Sequence, residues 1–107
     1  MDLRSLARNV ENRSIDYQAE NEIIPDESWL MLKLQEEVGE LTQAYLMMRG
    51  QSRYKGLSLV EIRERFDTEL ADVFTQVLLI SRQYDVDLES VVIRRLTSWG
   101  HKFENEK

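Results

Sequence analysis

The chain contains no cysteine, which excludes disulfides and thiolate-bound metals and fits a cytoplasmic location. It has one histidine, His101, so neither a histidine-rich metal centre nor a Ser-His-Asp arrangement is expected. One proline and four glycines interrupt 107 residues, which makes long helices the default. No apolar run approaches the roughly 20 residues of a membrane span, so no membrane partner is expected. The opening residues Met1-Asp2-Leu3-Arg4 lack the apolar core of a secretory signal. Basic residues are also short: 14 Lys and Arg against 20 Asp and Glu leave a formal charge of −6. That balance argues against a polynucleotide partner. It leaves nucleotides open, because a bound divalent ion reverses the local sign.

What is present is helical periodicity over one domain, residues 1–107. Leu3, Leu6, Ala7 and Val10 share a face behind an Asp2 cap, and the pattern weakens before Tyr17, so a bend or fraying is expected there. Residues 21–26 read as a loop broken by Pro25, with Asp26 able to cap a second helix over 27–49 that stops at Gly50. Ser58-Leu59-Val60-Glu61 is a capping-box pattern opening a third helix. Asp87 can cap a fourth, whose apolar positions run from Leu88 through Trp99 to Phe103, followed by a polar tail. The expected fold is all-α, an antiparallel four-helix bundle. Leu78 and Leu79 widen the apolar stripe of the third helix, and a chain of this size buries such a surplus by forming a dimer.

One pattern occurs twice. Lys33-Leu34-Gln35-Glu36-Glu37-Val38-Gly39-Glu40-Leu41, shifted by 32 positions, falls on Arg65-Phe66-Asp67-Thr68-Glu69-Leu70-Ala71-Asp72-Val73. At about 100° per residue, Glu37 projects along the apolar face of its helix and Glu40 flanks it. Glu69 and Asp72 repeat that placement. Four carboxylates along apolar faces are costly unless they converge on a cation. An oxygen-only set suits Mg²⁺ or Mn²⁺. A single Glu-x-x-Glu in so acidic a chain is ordinarily a solvated face; two matched pairs in line with the core stripe are not ordinary. Lys33 and Arg65 each stand four residues before a Glu, where an intrahelical ion pair and a phosphate contact are both open. Arg53 and Lys55, in the loop after Gly50, can cover phosphates or simply face solvent. Trp29, Tyr45, Tyr54 and Trp99 can stack on a base or fill the core.

The run Glu36-Glu37-Val38-Gly39-Glu40, followed after 28 residues by Glu69-Leu70-Ala71-Asp72, resembles the EExxE…ExxD signature of the MazG-like all-α nucleoside triphosphate pyrophosphohydrolases. The resemblance extends over about residues 28–103 and includes Val86-Asp87-Leu88-Glu89. It implies Mg²⁺-dependent cleavage of a (deoxy)nucleoside triphosphate between the α- and β-phosphates, giving a monophosphate and pyrophosphate, by a homodimer or homotetramer. It implies metal ligation by Glu37, Glu40, Glu69 and Asp72, with Glu36 as an orienting group or base for the attacking water. Arg95 and Lys102 stand where relatives carry phosphate-binding residues. Ser98 and Trp99 depart from the usual Lys-Asn pattern of the last helix, which bears on substrate preference.

Two other classes compete. A catalytically inactive helical interaction module of the same fold accounts for the helices and not for the matched acids. A ferritin-like di-iron protein requires Glu-x-x-His on two helices, and Glu40 and Asp72 occupy the positions a histidine would need.

Overall fold

The computed structural model describes residues 1–104. Four helices run in chain order, and no strand occurs among the described residues: α1 Leu3–Glu20, α2 Trp29–Met48, α3 Leu59–Gln83 and α4 Leu88–Ser98. None is long and apolar enough to cross a membrane. Of the expected polar tail, all but Glu104 lies outside the described residues.

Helix α1 starts where Asp2 accepts a hydrogen bond from the Ser5 amide at 2.8 Å. It then continues unbroken to Glu20, contrary to the bend or fraying expected before Tyr17. Its polar residues supply the missing support. Glu11 takes a 3.1 Å hydrogen bond from Arg82 on α3, and Gln18 donates to Ser14 one turn back at 3.3 Å. Helix α2 begins two residues later than expected. The Asp26 carboxylate accepts from the Ser28 amide at 2.9 Å, a local turn that competes with helix and leaves Ser28 as N-cap. At the other end Gly50 takes a left-handed φ of 72°, and the Gln51 amide closes back on the Leu46 carbonyl at 2.8 Å. The capping box of α3 forms as written: the Glu61 amide donates to Ser58 Oγ at 3.2 Å and the Ser58 amide to Glu61 Oε1 at 3.0 Å.

Asp87 caps α4 through the Ser90 amide at 3.2 Å. The helix ends at Ser98, short of the expected Phe103. Gly100, with φ 78°, lets the His101 amide return to the Leu96 carbonyl at 3.0 Å. Lys102 and Phe103 therefore lie past the helix.

Helices α2 and α3 pack along one another, and α1 lies against α3. Leu30 meets Gln76 and Glu37 meets Glu69, so α2 and α3 run antiparallel. The buried apolar side chains are Ala7 on α1, Ala44 and Met47 on α2, and Ile62, Leu78 and Leu79 on α3. Helix α4 buries no residue and touches the others sparsely. The chain exposes 8596 Å², where a compact monomer of this mass would expose roughly 6,200 Å². Its radius of gyration is 17.0 Å against about 13 Å for a compact domain of this length. The single chain is thus an open helical assembly with uncovered apolar surface.

Candidate metal and nucleotide site

The antiparallel pairing of α2 and α3 turns two separate sequence motifs into one site. Carboxylate oxygens of Glu37, Glu40 and Glu69 lie within 4.8 Å of one another. Glu37 Oε2 and Glu69 Oε2 are buried and have no hydrogen-bond partner. A buried acceptor without a donor costs on the order of 1–3 kcal/mol, so a side-chain pattern that leaves two of them points to a partner from outside the chain.

The electrostatics agree. Burial, then the charges of Glu40 and Asp72, hold the Glu37 carboxyl above its ordinary range, and Lys33 opposes this. Burial, Glu40 and Asp72 likewise push Glu69 up, against the pull of Arg65. Three carboxylates with no histidine or sulfur form a donor set for a hard cation, which supplies the opposite charge the site lacks. Asp72 stands close enough for its charge to act on both buried acids, while its oxygens fall outside the mutually close group of three.

The basic candidates separate. Lys33 Nζ pairs with Glu36 at 3.3 Å, one turn along the same helix, rather than with Glu37 four residues on. Glu36 itself is exposed. Arg53 and Lys55 are exposed in the loop over residues 49–58, with Lys55 in the left-handed region at φ 54°. Arg95 stacks its guanidinium 4.5 Å from the ring of Trp99, the residue that caps the end of α4, and both are exposed.

Beside the acids lies a cleft of about 470 Å³ between α1, α2 and α3. Lys33 and Glu37 line it together with Trp29, Tyr17, Gln76 and Asn9. No α4 residue lines it among the described residues. Of the aromatic residues singled out in the sequence, Trp29 reaches the cleft. Tyr45 and Tyr54 do not line it. Tyr17 and Gln76 do, although neither stood out: Tyr17 follows the point where the apolar pattern of α1 weakens, and a lone glutamine between Val73 and Leu79 carries no motif. The signal available was a polar residue inside the α3 apolar stripe.

An acid pair on each of two antiparallel helices, beside a cleft of ligand size, makes a carboxylate-centred site whose three close glutamates could hold a metal ion. A family model described as the MazG nucleotide pyrophosphohydrolase domain matches residues 26–98, a span that contains both acid pairs, and the chain belongs to that family. No curated protein and no solved structure matches the chain.

Proposed function

We propose that the chain, as a single domain over residues 1–107, hydrolyses a (deoxy)nucleoside triphosphate between its α- and β-phosphates, releasing a nucleoside monophosphate and pyrophosphate. The observation that carries this reading is the pair of buried, unpartnered oxygens, Glu37 Oε2 and Glu69 Oε2, within a cluster of three carboxylates. In this reading Glu37, Glu40 and Glu69 hold Mg²⁺, or Mn²⁺ in its place, and Asp72 completes the acidic set from the next turn of α3. Such an ion, when bound, neutralises phosphate charge and lowers the pKa of a coordinated water. Phosphoryl chemistry asks the protein mainly for positioning and charge. Lys33 lies in the cleft next to Glu37 and is the candidate to meet a phosphate oxygen. Glu36, exposed and paired with Lys33, is the candidate to accept the proton of the attacking water once Lys33 turns to substrate. Arg53, Lys55, Arg95 and Lys102 remain candidates for phosphate contact only through movement of the 49–58 loop or through a second copy of the chain.

A homodimer or homotetramer is part of the proposal. The excess of exposed area over a compact monomer is roughly 2,400 Å², within the range that stable interfaces bury. The cytoplasmic nucleotide pool would be its substrate source.

The test is a panel of (d)NTPs with Mg²⁺, scoring pyrophosphate against phosphate. Pyrophosphate release in stoichiometry with monophosphate is expected. Phosphate alone would overturn the assignment, and so would the same rate from Glu37→Gln.

A further inference from the structure

Two pairings across the α2–α3 seam share one register. Gln76 Nε2 on α3 donates to the Leu30 carbonyl on α2 at 3.4 Å. Seven residues on along α2, and seven back along α3, Glu37 and Glu69 bring their carboxylate oxygens within 4.8 Å. Seven residues are close to two helical turns, about 10 Å of axial rise, so each helix presents both of its partners on one face. Gln76 is 9% exposed. Apart from the crowded acids themselves, no other side-chain hydrogen bond or ion pair joins α2 to α3 among the described residues.

The side chains that α2 buries are Ala44 and Met47, both apolar. Apolar burial has no direction, so it favours the contact without choosing the offset of one helix along the other. The like-charged pair works against the observed offset: a slip of either helix would carry the Glu37 and Glu69 oxygens apart and relieve their repulsion. A directional bond two turns away opposes that slip. A single polar side chain in a helical seam can fix register in this way, at some cost in stability. The Leu30 carbonyl, in the first turn of α2, already accepts the helical bond from the Leu34 amide, so it does not need the carboxamide. What the Gln76 bond adds is alignment.

We propose that Gln76 is a positioning residue: it locks α2 and α3 in the register that holds Glu37 and Glu69 at ion-binding distance. The proposal rests on the reading under Proposed function, since these are the acids assigned there to the ion. The support lies outside both acid motifs, with Gln76 four residues after Asp72 and Leu30 seven before Glu37. A leucine of similar volume at position 76 would fill the seam without aligning it. Without metal, such a chain should be no less stable than the wild type, because a buried polar group is gone and the acids are free to separate. Its affinity for a divalent ion should fall roughly tenfold or more, the usual effect of removing a group that orients metal ligands.

The test reads register, stability and ion binding, none of which needs a nucleotide. The chain has no cysteine, so Gln35→Cys on α2 and Glu64→Cys on α3, both exposed, carry a pair of spin labels, diluted with unlabelled chain. Pulsed dipolar EPR without metal should give one narrow distance with Gln76 present and a shifted or broadened one in Gln76→Leu. Isothermal titration calorimetry with Mn²⁺ should show binding weaker by roughly tenfold or more in Gln76→Leu, while its metal-free Tm equals or exceeds that of the wild type. Gln76→Met keeps the unbranched shape and lacks the donor. It should behave alike, and it covers the case in which the leucine variant misfolds. An unchanged distance distribution, or Mn²⁺ binding no weaker than in the wild type, would overturn the assignment. So would a metal-free Tm well below the wild type in both variants, which would make Gln76 a part of the core. Gln76 also lines the cleft; a raised KM with distances and Mn²⁺ affinity unchanged would make it a substrate contact and overturn the proposal in the same way. The expected register and Mn²⁺ differences, found in a chain that releases no pyrophosphate, would reject the reaction and keep the role of Gln76.

Discussion

Glu37 on α2 and Glu69 on α3 bring carboxylate oxygens within 4.8 Å of each other, and each keeps its Oε2 buried without a hydrogen-bond donor. Two like charges so placed repel, and burial strengthens the repulsion. An ion between the helices would relieve both penalties at once.

That relationship sets the first prediction. Glu37→Gln and Glu69→Gln each remove one of the repelling charges, so without metal their Tm should equal or exceed that of the wild type. Mg²⁺ at about 100 times its Kd should stabilise the wild type by about 2.7 kcal/mol, a rise in Tm on the order of 10 °C for a chain of this size. The amide variants should lose most of that rise. They should also lose pyrophosphate release by on the order of 10²–10³. Thermal melts with and without Mg²⁺ check the first point. An equal Mg²⁺ shift in wild type and both variants would place the ion elsewhere.

The second prediction concerns pH. Burial and the neighbouring acids raise Glu37 and Glu69 above the ordinary value of 4.5. A carboxyl whose folded pKa is raised stabilises the fold fully below its unfolded value, and that contribution is lost as pH rises through the folded value. Asp2, Glu61 and Asp87 go the other way, because each accepts a backbone amide at a helix start. Their stabilisation is present above the unfolded values and fades as pH falls through the folded ones. The two sets oppose each other in a raw melting curve, so the difference between wild type and Glu37→Gln isolates the first. In metal-free buffer the wild type should lose ground to Glu37→Gln as pH is raised from 4.5 to neutrality, and Mg²⁺ should reverse that loss. A difference that stays flat with pH would show that Glu37 feels no burial.

Capping gives the third prediction and also shows what the sequence makes legible. Ser58 and Glu61 exchange two hydrogen bonds at the start of α3, at 3.2 and 3.0 Å. Ser58→Ala should cost about 1 kcal/mol and lower Tm by roughly 4–8 °C, leaving kcat unchanged at temperatures where the variant stays folded. A melt of the purified variant checks it, and a shift under 1 °C would mean that the cap contributes nothing.

Ser58, Asp2 and Asp87 were readable because a cap is a local arrangement: side chain and amide lie three residues apart. The acid pairs were readable because the motif repeats within one helical turn on each helix. Three features depended on distance along the chain. The persistence of α1 past Val10 draws on Arg82, 71 residues from Glu11. The cleft depends on Tyr17, Trp29 and Gln76 meeting from three helices. The standing of Asp72 outside the close triangle of Glu37, Glu40 and Glu69 depends on how α3 is rotated against α2. No periodicity specifies that rotation.

The fourth prediction follows from α4, which buries no residue in the single chain. Val92 is 54% exposed and Ile93 45%, while Trp99 lies under the Arg95 guanidinium. A helix with its apolar residues in water has little reason to hold its place, so in this reading a second copy covers it. Arginine and tryptophan are the residues that dominate interface energies. If α4 is the interface, Trp99→Ala should weaken self-association by about 2 kcal/mol, close to thirtyfold in the dissociation constant. Val92→Glu together with Ile93→Glu should yield monomer in analytical ultracentrifugation. The alternative outcome is equally definite. Substitutions at exposed sites of a monomer ordinarily change stability by under 0.5 kcal/mol. A double variant with the mass and Tm of the wild type would therefore leave α4 in solvent. Activity adds a further readout: because α4 lines no part of the cleft in the chain itself, loss of kcat on dissociation would mean that the partner's copy of this helix completes the site.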